Sequence, residues 1–197
     1  MREPSEIKQE ISKPIRVFWK VFVCLWGAII LLILLTYAGL FGKLPSIQEL
    51  QNPSMMSSSE IYADDGTLMG KFYQKDRINV KYQDISQNVI QALIATEDER
   101  FYQHSGIDIK SLMRAIFFLG SEGGASTITQ QTAKALLGQE SRKSVMRMIE
   151  KLKEWIVAIK LERNFTKEEI LTLYLNMVNY GDETYGIRNA AKTYFQR

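Results

Sequence analysis

The sequence predicts a mainly α-helical domain with a small β element, preceded by one transmembrane helix. This prediction rests on a long run without charge, a series of segments that are apolar every three or four residues, and an Asp-Gly turn between two β-rich runs. A chain of 197 residues with 46% hydrophobic content can form one globular domain plus an appendage. The net charge of +3 is too small to indicate nucleic-acid binding.

Residues 21–41 contain no charged side chain and are long enough to cross a bilayer as a helix. A signal-peptide core is shorter, about 7–15 residues. A buried core helix is the alternative, which uniform apolarity on all faces disfavours. Basic residues are concentrated before the run and acidic residues follow it, so the positive-inside rule predicts a cytoplasmic tail over residues 1–20 and an extracytoplasmic remainder.

Residues 42–59 are predicted to form an extended linker, because they contain Pro45, Pro53 and a run of three serines. A domain over residues 60–197 follows. Its first feature is Asp64-Asp65-Gly66 between two short β-rich runs, which favours a β-hairpin. The single cysteine, Cys24, lies in the apolar run, so the domain has no disulfide and no cysteine zinc site.

From residue 86 onward the apolar spacing is helical. Ser86 is predicted to cap a helix that carries Glu97 near its carboxyl end. Asp108 is predicted to cap a second helix and Ser126 a third.

Three more helices are predicted towards the end of the chain. A long one covers residues 143–163, where apolar residues recur at helical spacing. Thr166 and Glu169 form a capping box for the next. The last is indicated by apolar positions at Ile187, Ala190 and Tyr194.

Two polar segments interrupt this apolar pattern, and they contain the candidates for chemistry. The first, residues 95–106, reads ATEDERFYQHSG, and the second, residues 124–134, reads GASTITQQTAK. A buried acidic cluster costs free energy unless the protein uses it. Taken alone, residues 97–100 are more typical of a solvated helix end, and the glutamine pair of an ordinary helix surface.

The order E-D-x-x-F-x-x-H-x-G, then G-x-S-T-I-T-Q-Q-x-x-K, resembles the peptidoglycan glycosyltransferase family. This family forms the N-terminal catalytic module of class A penicillin-binding proteins and the whole of the monofunctional transglycosylases. A third family motif, R-K-x-x-E-x-x-x-A-x-x-L-E, aligns with residues 150–162, with Glu150 in place of the arginine. The resemblance covers residues 61–197 and implies a lysozyme-like lobe with a second, membrane-proximal lobe.

The resemblance implies polymerisation of lipid II into β-1,4 glycan strands, with inversion and with undecaprenyl pyrophosphate as leaving group. Such a reaction needs a base for the acceptor hydroxyl and cations for the departing pyrophosphate. Glu97 matches the family's general base, and Glu154 is expected to position acceptor or cation. The motifs imply substrate contacts for Asp98, Phe101, His104, Ser126, Thr127, Gln130, Gln131, Lys134, Arg147 and Lys151.

Some of these assignments have simpler alternatives. His104 is expected to be structural even within the motif, and Arg147 is proposed to replace the missing arginine at position 150. A salt-bridged, solvated helix face would also explain many of the charges between residues 142 and 153. Residues 116–119, Ile-Phe-Phe-Leu, are most simply core, although the family places an apolar segment here in the bilayer.

No cofactor is required in this interpretation, and Mg²⁺ or Mn²⁺ is an optional partner of the pyrophosphate. The expected partners are lipid II, the growing glycan strand, the bacterial inner membrane and other cell-wall synthesis proteins. The expected location is the inner membrane, single-pass and type II, with a periplasmic domain. Two other functions stay open: a peptidoglycan hydrolase or lytic transglycosylase, and a non-catalytic membrane-anchored scaffold.

The family domain continues beyond the Y-F motif at residues 194–195, so the chain is expected to be incomplete at its carboxyl end. Penicillin binding is not assigned to these residues, because S-x-x-K, S-x-N and K-T-G do not occur in that order.

Overall fold

The computed structural model describes residues 4–51, 59–64, 68–72, 78–118, 124–138, 144–182 and 184–196. It divides the chain into two compact units, Met1–Lys43 and Leu44–Arg197. The helices are α1 (Pro4–Tyr37), α2 (Ile47–Gln51), α3 (Gln87–Glu97), α4 (Ile109–Phe117), α5 (Ile128–Leu137), α6 (Ser144–Asn164), α7 (Lys167–Met177) and α8 (Ile187–Phe195), and the strands are β1 (Ser59–Tyr62) and β2 (Leu68–Phe72). The predicted mainly α fold with a small β element is confirmed.

Helix α1 accounts for the first unit. Its stretch Pro14–Tyr37 has a mean hydropathy of 2.5, and by length and composition it can cross a membrane. The helix ends at Tyr37, before the predicted boundary at residue 41. Gly39 lies just beyond that end with a φ of 85°, a left-handed conformation that commonly terminates helices.

The prediction of an extended linker over residues 42–59 is wrong for α2. The Ser46 hydroxyl accepts a hydrogen bond from the Glu49 amide at 3.2 Å, and the Glu49 carboxylate accepts one from the Ser46 amide at 2.6 Å. This reciprocal pair is a capping box, which starts a helix that propensity alone does not predict. Leu50 on the same helix is 1% exposed and belongs to the core cluster of the second unit.

Strands β1 and β2 pair antiparallel, as the hairpin prediction requires. Ser59 lies opposite Phe72 and Ile61 opposite Gly70, with a register shift after Ile61. The predicted turn at residues 64–66 falls partly outside the described residues.

The helix caps agree with the sequence at three of the four predicted positions. Ser86 caps α3, Asp108 caps α4, and Thr166 with Glu169 forms the capping box of α7. Helix α5 begins one residue later than predicted, because its cap is Thr127 rather than Ser126. The Thr127 hydroxyl accepts from the Gln130 amide at 3.1 Å and also donates to the Gly106 carbonyl at 2.6 Å.

The core of the second unit forms where α5 packs against α6 and α7. Its fully buried side chains include Phe101, Ile128, Val157, Leu161, Ile170 and Leu171. Gly106 brings the first polar segment against α6: it has a φ of 88°, and a Cβ there would lie 3.1 Å from the Ala158 carbonyl carbon and oxygen. Only glycine suits both the conformation and the space.

Helix α4 and its C-cap residue, Phe118, expose most of their large apolar side chains. Ile116, Phe117 and Phe118 are 59%, 75% and 51% exposed, so the simple core interpretation of this segment is wrong for these three. Leu119 lies outside the described residues. The sequence could not distinguish a buried apolar segment from an exposed one, since apolar spacing identifies a face of a helix but not what covers it.

Asp108 stabilises the start of α4 in two ways. Its carboxylate accepts from the Lys110 and Ser111 amides at 3.0 and 3.1 Å, and Arg100 donates to it at 2.6 and 3.1 Å. Burial acts to raise the pKa of this carboxyl, but the hydrogen bonds from Ser111 and Arg100 and the charge of Arg100 outweigh burial and lower the pKa below 3.8.

Asp108→Ala is therefore expected to lower the free energy of unfolding by about 2 kcal/mol at neutral pH, since cap and ion pair are both lost. A carboxyl whose pKa is lower in the folded state stabilises above its unfolded pKa and loses that effect as pH falls through the folded value. The difference from the native protein should thus shrink below about pH 4. Denaturant titration followed by circular dichroism measures it. Asp108→Asn keeps the cap and should lose less, and equal stability of Asp108→Ala and the native protein would contradict the argument.

Candidate active site

Two adjoining cavities lie beside the polar segments in the second unit. The first, about 360 Å³, is lined by residues 95–100 and 124–127 together with side chains of α4. The second, about 790 Å³, lies between α5 and the end of α7 and is lined by Lys134 and Tyr174, among others. Ser126 and Gln131 line both cavities. The structure therefore places parts of the first two sequence motifs around two cavities that share lining residues.

Glu97 is the last residue of α3, where its exposed carboxylate borders the first cavity. The Gln131 side-chain amide donates to Glu97 Oε2 at 2.8 Å. A carboxylate in a cavity, oriented by a fixed donor, has the arrangement that a general base needs.

Asp98, the next residue, is buried. Its carboxylate oxygens both lie 3.0 Å from His104 Nε2, and Oδ2 accepts from the Ile128 amide at 3.0 Å. Asp98 thus joins the end of α3 to the start of α5, where a carboxylate is also favoured by the helix dipole. This geometry supports the structural role expected of His104 and extends it to Asp98, whose contact with substrate stays a prediction.

Three residues predicted to contact substrate are largely buried, although one of them, Thr127, also lines the first cavity, and their contact with substrate stays a prediction. Phe101 is fully buried, and the Lys167 ammonium lies 4.3 Å from its ring centroid. Thr127 and Gln130 are each 2% exposed, and Thr127 serves as the α5 cap. Sequence spacing cannot separate residues that build a site from residues that line it.

Lys151 connects the second and third motifs. Its ammonium donates to Ser126 Oγ at 2.9 Å and to Glu154 Oε2 at 2.7 Å. Glu154 is 8% exposed and does not appear among the described residues that line the two cavities. Its catalytic role stays a prediction, while its contact with Lys151 holds that cation beside Ser126.

The two other predicted cations differ in their placement. Lys134 is exposed and lines the second cavity. Arg147 is exposed near the start of α6, and it does not belong to the described lining of either cavity. Its substitution for the missing arginine stays a prediction.

Tyr174 is the site residue that sequence reasoning missed. The sequence places Tyr174 both on the apolar spacing of α7 and in a Tyr-Leu-Asn segment that resembles the family's pattern, but neither indicates that its hydroxyl lies 3.4 Å from Gln131 Oε1 or that it lines the second cavity. Burial, and secondarily the charge of Glu97, raise the pKa of Tyr174 to about 12. The phenol is therefore protonated, and a donor, at neutral pH. The available signal was the polar tip of a tyrosine within an otherwise apolar stripe.

Within the described ranges, no group of three or more His, Cys, Asp or Glu side chains is placed to hold a metal ion. The optional role of Mg²⁺ or Mn²⁺ therefore stays a prediction.

The comparison with known proteins agrees with the motifs. A family model described as Transglycosylase matches residues 65–197. Among similar proteins, penicillin-binding protein 1A of Pseudomonas aeruginosa is 37% identical over 182 residues, covering 87% of this chain and 22% of its own length. The proteins of the same name from Haemophilus influenzae and Escherichia coli are 43% and 40% identical, over 75% and 78% of this chain and 17% and 18% of their own lengths. The chain thus spans about a fifth of the length of these curated relatives.

Proposed function

The chain belongs to the transglycosylase family, and we propose that it is a peptidoglycan glycosyltransferase that polymerises lipid II into β-1,4 glycan strands. The observation that carries this proposal is the Glu97 carboxylate, which borders a cavity while the Gln131 amide holds one of its oxygens. The cations on the neighbouring surfaces fit a reaction whose leaving group is an anion. The relatives named as penicillin-binding proteins support a role in cell-wall synthesis.

In the proposed reaction the 4-hydroxyl of the acceptor sugar attacks the anomeric carbon of the donor. Glu97 removes the hydroxyl proton as the new carbon–oxygen bond forms, and the bond to the pyrophosphate oxygen breaks on the opposite face. A single displacement of this kind inverts the anomeric centre. Positioned base catalysis of this kind typically contributes about 10²–10⁴-fold to the rate.

The departing undecaprenyl pyrophosphate carries the negative charge away from the anomeric carbon. Lys134, which lines the second cavity, and Lys151, held beside Ser126, are the cations we assign to this charge. Fixed cations stabilise a charge that develops in the transition state because they need no reorganisation when it forms. The donor would thus occupy the side of the site that these lysines border, and the acceptor would approach Glu97 from the first cavity.

We also propose that the protein is held in the bacterial inner membrane by α1, with the second unit in the periplasm. The apolar stretch supports the anchor, and the excess of basic residues before it supports the orientation. This location would give the site access to a lipid-linked substrate, the growing glycan strand and other cell-wall synthesis proteins.

The test is incubation of labelled lipid II with the full-length protein in detergent, followed by separation of the products by size. Glycan polymer that lysozyme degrades is the expected product. Absence of polymer from a folded protein would contradict the proposal. Cleavage of purified glycan without lipid II would favour the hydrolase, and binding of lipid II without turnover would favour the scaffold.

A further inference from the structure

Two hydrogen-bond contacts join side chains from three helices, in a series that ends at Glu97. Tyr174 on α7 lies 3.4 Å from Gln131 Oε1 on α5, and Gln131 Nε2 donates to Glu97 Oε2 at 2.8 Å at the end of α3. We propose that Tyr174 and Gln131 are positioning residues for the base: the phenol fixes the carboxamide, which in turn orients the Glu97 carboxylate towards the acceptor hydroxyl. This inference rests on the function proposed above and adds Tyr174 to the residues on which the reaction depends.

Glu97 and Tyr174 both favour the same orientation of the Gln131 carboxamide. A carboxylate only accepts hydrogen bonds, so the side of Gln131 that faces Glu97 has to be the NH₂ group. The protonated phenol of Tyr174 donates to the carbonyl oxygen on the other side. The reverse orientation would place the carbonyl oxygen against the carboxylate and lose both bonds. Tyr174 therefore acts on Glu97 through Gln131.

Burial decreases from Tyr174 through Gln131 to Glu97, as expected if Tyr174 positions the carboxylate. Tyr174 is 6% exposed and is packed within the core cluster, Gln131 is half-buried, and Glu97 is exposed to the cavity. The buried Tyr174 ring thus restricts the exposed Glu97 side chain through Gln131, since a buried ring has few alternative rotamers and an exposed glutamate has many. The contact between Tyr174 and Gln131 is long for an O–H···O bond, and catalytic hydrogen bonds commonly shorten when substrate binds.

The first experiment compares Tyr174→Phe with the native full-length protein in lipid II polymerisation. Tyr174→Phe should lower kcat about tenfold while KM changes less than about twofold, because the base loses its orientation but the substrate contacts stay. Tyr180→Phe is the matched control. The Tyr180 hydroxyl is also buried, has no hydrogen-bond partner among the described residues, and its loss should leave kcat unchanged.

A double-mutant comparison separates positioning from packing. Gln131→Met keeps the length of the side chain but removes both hydrogen bonds, so Tyr174→Phe should have no further effect on kcat in that background. An equal loss in both backgrounds would show that Tyr174 acts through packing and would overturn the proposal. Unchanged kcat in Tyr174→Phe would overturn it as well.

A spectroscopic measurement tests the arrangement independently of activity. In protein labelled with ¹⁵N at its glutamine side chains, the Gln131 NH₂ resonance should shift in both Tyr174→Phe and Glu97→Gln and should stay in place in Tyr180→Phe. An unshifted resonance in Tyr174→Phe would overturn the proposal even if the protein polymerises lipid II. Shifted resonances in a protein that makes no polymer would leave the arrangement standing and reject the proposed function.

Discussion

Glu97→Gln is expected to lower the rate of lipid II polymerisation by about two orders of magnitude or more. The substitution keeps the shape of the side chain but removes the carboxylate that we propose as the base, and loss of general-base catalysis has this size. The measurement is the initial rate of polymer formation with saturating lipid II. Because Glu97 is exposed, stability should change by less than about 0.5 kcal/mol, so a lower rate would reflect chemistry rather than unfolding.

Glu99→Gln provides the control for Glu97→Gln. Glu99 is also exposed and lines the same cavity, and its substitution makes the same change of charge. A rate within about threefold of the native protein is expected for Glu99→Gln, in line with the weak effects of exposed charges. Equal losses in the two variants would mean that the cavity needs negative charge in general, and would remove Glu97 from the role of base.

Gly106→Ala is expected to lower the free energy of unfolding by about 3 kcal/mol. The residue has a left-handed φ of 88°, and the added Cβ would lie 3.1 Å from the backbone of Ala158 on α6. Backbone strain and overpacking both act against the variant, and the backbone atoms that it meets cannot rotate away. Denaturant titration followed by circular dichroism gives the value.

Gly181→Ala separates these two causes. Gly181 also has a left-handed φ, of 102°, but an added Cβ would meet the Tyr194 hydroxyl at 3.3 Å, at the end of a flexible side chain. Gly181→Ala should therefore cost about 1 kcal/mol, mainly from strain. Equal losses at the two positions would show that strain alone matters at Gly106, and a stable Gly106→Ala would mean that α6 does not pack as described.

Most helices could be predicted from the sequence because their determinants are local. Ser86, Asp108 and the pair Thr166–Glu169 are cap residues followed by apolar residues at helical spacing, and each marks a helix start. The start of α5 was misplaced because two hydroxyl residues, Ser126 and Thr127, adjoin there. Lys151 engages one of them and Gly106 the other, and such long-range partners do not show in a local pattern.

The candidate site was predicted only in part. The motifs identified Glu97 and Gln131, but they did not distinguish lining residues from supporting ones such as Phe101. Helix α2 was missed because a five-residue helix has little periodicity, and burial of Leu50 depends on tertiary contact. Tyr174 was missed for the opposite reason, since its ring fits the apolar periodicity, and that periodicity does not indicate the contact between its hydroxyl and Gln131.

The bond from Asp98 to the Ile128 amide has a consequence for thermal motion. Asp98 directly follows Glu97 in the chain, and Gln131 lies within the first turn of the helix that Ile128 begins. Glu97 is thus one residue away from this hydrogen bond along the chain, and Gln131 is three residues away from it. Rocking of either helix should carry the two side chains together, so their separation would fluctuate less than the distance of either one to the rest of the cavity.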